Sequence, residues 1–273
     1  MGKAQDNKST VISVIVPTYK QEETIEENLL QIKSVLDQIR YDYEIIVVVD
    51  GFVDKTYERA KRLKSSKIVV VGYKHNHGKG NAVRFGMAKA KGDIIAFIDS
   101  GMDINSNGLS MLLEHFEWYN ADIVVGSKLH PVSKVNYPLH RKILSFGYRI
   151  LVKILFGLHL KDTQVGLKFF RRRVLEDVLP RLLVKTYAFD IEILAIAYHL
   201  GYKRIFEAPI ELDFKEKSSI APIVSASFWK TILHMLWDTL AVFYRLKILH
   251  YYDNKDERKR KFDPELDFKV NIV

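Results

Sequence analysis

Short apolar runs alternate with amphipathic stretches from Val11 to Val125. Val11 to Val16 is mostly apolar and closed by Pro17, the pattern of a buried first strand. Ile25, Leu29, Ile32, Leu36 and Ile39 then recur at helical spacing and predict a helix over Glu22 to Ile39. Glu44 to Val49 predicts a second strand, ending at Asp50-Gly51. Asp54 caps a helix carrying Tyr57, Ala60 and Leu63, and Lys67 to Val71 predicts a third strand. A loop with two histidines and two glycines between His75 and Gly80 leads into a helical pattern at Ala82, Phe85, Met87 and Ala90, stopped by Gly92. The run Ile94 to Ile98 follows and delivers Asp99 at its end, with Asp103 four residues later. Leu109 to Trp118 predicts a helix and Asp122 to Val125 a fifth strand. This alternation predicts an α/β protein: a mostly parallel sheet with helices on both faces. Such sheets bind ligands at the carboxyl ends of their strands.

After Gly126 the pattern changes. Ser127 to His140 reads as a loop with Pro131 and Pro138. Arg141 to Leu160 predicts a helix that is apolar over most of its girth, with Arg149 and Lys153 one turn apart. Asp162 to Phe170 (DTQVGLKFF) precedes a short helix from Val174, a helix over Ala188 to Leu200 and a strand over Lys203 to Ile210. Phe228 to Tyr252 is long and amphipathic. Lys230, His234 and Asp238 share one face, and Trp229, Leu233, Trp237 and Leu240 are among the apolar residues around the rest. A core helix competes with a helix lying in a membrane interface, and the wide apolar girth, repeated in 141–160, favours the interface. The organisation is a polar arm (1–10), a domain over 11–215, an amphipathic segment (216–252) and a charged, loosely ordered tail (253–273).

Composition narrows the partners. The chain of 273 residues has no cysteine, so disulfides and thiolate metal sites are excluded. Its net charge of +9 suggests anionic partners, and without a nucleic-acid-binding signature the reading is phosphates and lipid rather than DNA or RNA. The polar start lacks a signal-peptide core, and no apolar run is long enough to span a bilayer.

Asp99 and Asp103 at a strand end suit a hard divalent cation such as Mg²⁺ or Mn²⁺, and equally suit a capped turn with a solvated acid. Asp50 ends its own strand on the same edge, where a plain turn aspartate is also common. The glycines at 78 and 80 could let backbone amides approach an anion beside Lys79, although the P-loop spacing is absent. His75 and His77 read as loop residues before metal ligands. Lys128, His130, Arg141 and Lys142 flank the loop after the fifth strand and could receive a phosphate, or form an ordinary basic face.

Together the segments VIVPTYKQEETI (14–25), VVVDGFVDKT (47–56), NHGKGNAVRFGMAKAKGD (76–93), FIDSGMD (97–103), GSK (126–128), DTQVGLKFFRR (162–172) and AFDIEIL (188–194) resemble the family 2 glycosyltransferases of GT-A fold. They are most similar to the dolichyl-phosphate glucosyltransferase and dolichol-phosphate mannose synthase group. The resemblance implies an inverting transferase that moves a hexose from a UDP- or GDP-sugar onto a polyprenyl (dolichyl) phosphate, assisted by Mg²⁺ or Mn²⁺, at the cytoplasmic face of a membrane. It implies that Pro17, Tyr19 and Glu22 line the nucleotide pocket, that Asp50 holds the base or ribose with Lys79 nearby, and that Asp99 opens the metal motif. Lys128 and Arg141 would receive the acceptor phosphate, and Asp162, Gln164, Asp190 and Glu192 would touch sugar or position the acceptor loop. The family's DxD reads Asp99-Ser100-Gly101, without its second acid, and Asp103 is the expected replacement as metal ligand beside Asp99. Rival expectations are a GT-A enzyme acting on a glycan or glycolipid, and a catalytically degenerate nucleotide-sugar binder. A homo-oligomer is compatible with the sequence, which does not fix the state.

Overall fold

The structure is a computed structural model and describes residues 10–135, 139–186, 188–212, 226–253, 260–264 and 268–271. Seven strands form the central sheet: β1 (Val11–Thr18), β2 (Asp42–Asp50), β3 (Ile68–Tyr73), β4 (Ile94–Ile98), β5 (Ile123–Ser127), β7 (Leu167–Arg171) and β8 (Ile205–Pro209). Their order is β3-β2-β1-β4-β7-β5-β8. All neighbours are parallel except β7, which is antiparallel to β4 and to β5. Alternation along the strands feeds two cores. Val14, Val16, Ile45 and Val47 face one side, with α1 (Ile25–Leu36), α2 (Thr56–Arg62) and α4 (Gly108–Trp118). Ile15, Ile46 and Val48 face the other, with α3 (Lys79–Lys89), α5 (Leu139–Phe156), α6 (Arg172–Val178), α7 (Phe189–His199) and α8 (Ala226–Phe243). Both faces are therefore covered, as the apolar pattern requires.

The first five strands and four helices fall where the periodicity puts them, with ends moved by a few residues. The helix expected over Glu22 to Ile39 is shorter at both ends, and the Asp54 carboxylate accepts the Thr56 N–H at 3.0 Å, opening α2. The helix expected to reach Leu160 stops at Phe156, because Gly157 turns left-handed at φ +69°. Within the loop expected over 127–140, β6 (Lys134–Val135) pairs with β9 (Glu211–Leu212). Within the segment expected as a loosely ordered tail, β10 (Arg260–Asp263) pairs antiparallel with β11 (Phe268–Asn271), and the rest of 254–273 apart from 264 lies outside the described residues. No helix among the described residues is long and apolar enough to cross a membrane.

One contact fixes how close α3 lies to the sheet. A Cβ added at Gly86 would stand 2.4 Å from Ile15 Cγ2 and 2.9 Å from Val48 Cγ2. Both neighbours are fully buried and cannot yield. Gly86→Ala should therefore destabilise the fold by about 1–3 kcal/mol through overpacking, read as a lower urea midpoint with an unchanged slope.

Candidate active site

The site forms along the carboxyl edge of β1, β2, β4 and β5. At the end of β2, Asp50 is 3% exposed. Its Oδ1 accepts the His77 N–H at 2.8 Å, and its Oδ2 accepts the Gly78 N–H and Asn76 Nδ2, each at 3.0 Å. The amides of the glycine-rich loop thus cradle an anion, but the anion is the protein's own carboxylate. A buried aspartate needs such donors to stay charged. Both oxygens of the carboxylate expected to hold base or ribose are thus engaged by the loop. The glycines serve a close approach: a Cβ at Gly78 would meet the Lys185 carbonyl oxygen at 2.7 Å, and one at Gly80 would meet Phe189 Cβ at 2.6 Å. Held in this way, α3 starts at Lys79 and aims that side chain along the edge. His75 and His77 are loop residues, with His77 packed 5.1 Å from the Tyr73 ring.

Asp99 follows β4, and its carboxylate receives Lys79 Nζ at 2.9 and 3.0 Å. Behind this pair lies a second. Lys168, wholly buried on β7, reaches Asp190 Oδ1 at 2.5 Å and the Val165 carbonyl at 2.6 Å. Burial first of all pushes the Lys168 amine below its ordinary range, and Asp190 works against that shift. Asp190 Oδ2 stands 4.0 Å from Lys79 Nζ, so four charges alternate as Asp99, Lys79, Asp190, Lys168. Both lysines lie over the Phe97 ring. Lys168 was not among the residues anticipated from sequence. A lone lysine inside the apolar run GLKFF was the available signal.

The antiparallel course of β7 places its leading segment, 162–166, at the same edge. That segment bridges the ends of β4 and β5. On the β4 side Asp99 donates its N–H to the Gly166 carbonyl at 2.9 Å. On the β5 side Asp162 accepts the Lys128 N–H at 3.2 Å and pairs with Lys128 Nζ at 3.4 Å. Around it Ser127 Oγ, His130 Nδ1 and Gln164 Nε2 are enclosed without a hydrogen-bond partner among the described residues. Burial holds His130 below the usual histidine range, so it is neutral near pH 7. Arg141 and Lys142 belong to α5, and their side chains lie outside the described part of the structure. Pro17 is buried in β1, and Tyr19 is exposed just beyond it. Glu22 accepts the Lys55 N–H at 3.0 Å and ties the loops after β1 and β2 together.

For Glu192 the sequence leaves open sugar contact or the positioning of a loop. It is 0% exposed, and its oxygens take the N–H groups of Leu183 and Val184 and the hydroxyl of Tyr252. It is a tie between α7 and the preceding loop, and its satisfied oxygens are not available for sugar. Burial pushes its carboxyl pKa above the ordinary glutamate range, against the pull of those donors.

The expected pairing of Asp99 and Asp103 around a cation is only partly supplied. Among the described residues no three acids or histidines gather into a metal cluster. Asp50 is committed to the loop amides, and Asp103 is half-buried in a turn in which Met102 is left-handed at φ +54°. The donor set nevertheless fits a magnesium-type ion bound mainly by phosphate oxygens and water, which needs only one or two protein carboxylates. Asp99 is 42% exposed, and nothing stands within 4 Å of a Cβ placed on Gly101, so the turn opens outward.

Comparison with known proteins matches residues 13–179 to the profile of Glycosyl transferase family 2. A dolichyl-phosphate beta-glucosyltransferase of Trichomonas vaginalis is 32% identical, covering 92% of this chain and 79% of the relative. One of Drosophila melanogaster is 30% identical, covering 85% and 76%. Among solved structures, glucosyl-3-phosphoglycerate synthase from Mycobacterium tuberculosis in complex with Mn²⁺ and UDP-glucose superposes with a TM-score of 0.62 at 21% identity, covering 97% of this chain and 86% of that one. At that identity the likeness speaks for the fold, a GT-A architecture.

Gly166 tests the site. An alanine Cβ there would overlap Asp99 Oδ2 at 1.8 Å and drive the carboxylate from its place. Gly166→Ala should leave the circular dichroism spectrum intact and lower turnover on the order of 100-fold, the cost of misplacing a reacting group by about 1 Å.

Proposed function

The chain belongs to Glycosyl transferase family 2 and is a lipid-phosphate glycosyltransferase, and from that premise we propose that it transfers glucose from UDP-glucose to a dolichyl-type polyprenyl phosphate with inversion. The observation that carries the reading is the bridge 162–166. It joins a cation–carboxylate pair at the end of β4, Lys79 with Asp99, to a second at the end of β5, Lys128 with Asp162. Donor diphosphate belongs at the first and acceptor phosphate at the second, with the sugar between them.

The acceptor needs no general base. A phosphate monoester with a second pKa of about 6 is largely dianionic at neutral pH and attacks the anomeric carbon itself. Lys128 would receive it, with Arg141 as a second cation. Gln164, whose enclosed Nε2 has no partner among the described residues, would hydrogen-bond a sugar hydroxyl. The leaving diphosphate gathers charge as the bond breaks, and Lys79 stands where it can neutralise part of that charge. Asp99, with Asp103 on the same turn, would hold a divalent cation together with the diphosphate oxygens; when bound, such an ion supplies Lewis-acid stabilisation of the departing nucleotide. Tyr19, exposed at the end of β1, would flank the base, and Asp50 would act through the loop that it anchors.

The acceptor's tail calls for a membrane surface. On α5, Phe146, Ile150 and Ile154 are exposed one turn apart. On α8 and its continuation, Trp229, Leu233, Trp237, Leu240, Tyr244 and Ile248 form an exposed stripe at helical spacing. The two helices share a core, through Phe156 with Phe243 and Tyr148 Oη with Thr239 Oγ1 at 3.0 Å. These two apolar stripes, with Arg149, Lys153, Lys230 and Lys247 on the same helices, suit the interface of an anionic leaflet.

Incubation with UDP-glucose and vesicle-borne dolichyl phosphate should yield lipid-linked β-glucose. GDP-mannose should be a poorer donor, and transfer only to a glycan would overturn the acceptor assignment. Burying a large apolar side chain is worth about 1.5–3 kcal/mol. Trp237→Glu should therefore weaken sedimentation with anionic vesicles by on the order of 10-fold or more. Ile154→Glu should act in the same direction, and unchanged vesicle binding in both variants would remove α5 and α8 from the membrane contact.

A further inference from the structure

Lys168 is a wholly buried charge that the proposed chemistry leaves without a task. It is 0% exposed, so it cannot meet substrate directly. It makes two contacts that both lead to the site. Its grip on Asp190 Oδ1, at 2.5 Å, leaves Oδ2 to face Lys79 at 4.0 Å. Its grip on the Val165 carbonyl, at 2.6 Å, fixes the residue before Gly166, whose carbonyl takes the Asp99 N–H. Lys79 therefore stands between two carboxylates, Asp99 at 2.9 Å and Asp190 at 4.0 Å. Which of them holds it depends on how far the charge of Asp190 is already answered.

We propose that Lys168 and Asp190 are positioning residues for the transfer: Lys168 neutralises Asp190 from within and so keeps Lys79 forward, on Asp99, where the donor diphosphate arrives. This rests on the roles given above to Lys79 and Asp99. Without Lys168, the Asp190 carboxylate would be buried and unanswered, and attraction at short range in a poorly solvated site would draw Lys79 back onto it. The turn at 165–166 would lose its internal donor at the same time. Two independent losses would then displace the pair that meets the donor, although Lys168 touches neither sugar nor nucleotide. The alternative, a purely structural role, treats Lys168 as nothing more than the counter-charge that lets Asp190 be buried.

Four variants separate these readings: Lys168→Met, Asp190→Asn, the charge-balanced double variant, and Lys79→Met as a control on the site itself. Turnover is followed with UDP-glucose and dolichyl phosphate in phosphatidylcholine vesicles. The reactivity of Lys79 is followed separately, as its rate of acetylation by acetic anhydride against pH, resolved by peptide mass spectrometry. Lys168→Met should lower kcat on the order of 100-fold, with a smaller change in KM for the donor. It should also move the Lys79 acetylation profile to higher pH, since an unanswered Asp190 holds that ammonium more tightly. The double variant should regain most of the melting temperature, because a neutral buried pair is tolerated. It should also lift kcat above that of Lys168→Met and return the Lys79 profile towards wild type, because an uncharged side chain at 190 no longer draws Lys79 back; the lost donor to the Val165 carbonyl keeps kcat short of wild type. Asp190→Asn alone should move the Lys79 profile to lower pH. A kcat in the double variant no higher than in Lys168→Met would overturn the proposal, as would a Lys79 profile unchanged by Lys168→Met. If Lys168→Met does not fold, Asp190→Asn decides: a Lys79 profile unchanged by it would overturn the proposal. Wild-type turnover in Lys79→Met would instead sink the site assignment beneath the proposal, which the acetylation profiles test without reference to activity.

Discussion

A lysine with no surface in water must find an anion or give up its proton, and much of this molecule is arranged around that demand. Lys168 reaches the core because β7 runs against its neighbours between β4 and β5. The answering charge, Asp190, lies in the first turn of α7, where a helix favours an acid. The start of α7 is therefore tied to the middle of β7. Phe97, Phe170 and Phe189 pack around the pair and keep water out, with ring centroids 6.3–6.4 Å apart. A low-dielectric surround strengthens the pair and would penalise either partner left alone. Once Asp190 is fixed, Lys79 and Asp99 have little freedom, since Gly166 and the Phe97 ring bound them from the other side.

The exposed apolar helices are not remote from this arrangement. Thr186 donates its hydroxyl to Asp238 on α8 at 2.7 Å. One residue earlier, the Lys185 carbonyl accepts the Asn81 N–H at 3.3 Å and lies against Gly78. A single short loop thus touches both the helix with the widest exposed apolar stripe and the turn that carries Lys79. Glu192 holds the start of the same loop by its backbone. A transferase whose acceptor phosphate ends a long hydrocarbon tail must bring its sheet edge to the height of the lipid headgroups. Here one loop joins the turn at that edge to the apolar stripe.

The sheet and its helices were legible because the first five strands obey a simple rule: a buried parallel strand reads as an apolar run, and its helix as a 3.6-residue repeat. Asp99 could be found because it ends such a run. β7 could not be assigned to an element in that way. Five residues containing a lysine satisfy neither template, and an antiparallel insertion has no local signature. For the same reason DTQVG gave its chemistry through resemblance but not its place. Asp50 and Glu192 show the other blind spot. Each carries a functional residue type at a plausible position, yet each is consumed by backbone donors tens of residues away or across a loop. Sequence gives the type of a carboxylate, whereas its available lone pairs depend on which amides the fold brings to it.

The acidic turn can be understood by counting charge. With Ser100 and Gly101 where a DxD motif would carry a second acid, Asp99 is matched one-to-one by Lys79, and Asp190 by Lys168. These four charges are therefore balanced before anything binds. At the place proposed for the donor, an arriving diphosphate meets these balanced pairs beside the further acid Asp103, and Lys79 can turn from Asp99 towards it. A carboxylate at 101 would add a further acid to this turn and strengthen its repulsion of a diphosphate until a cation has settled there. The open space beside Gly101 and the Asn28 amide, which clamps the Ser100 carbonyl at 2.7 Å, keep the turn in shape without that second charge. Balanced pairs of this kind place more of the work of receiving the nucleotide on the lysine, and so on the buried pair that sets where the lysine stands.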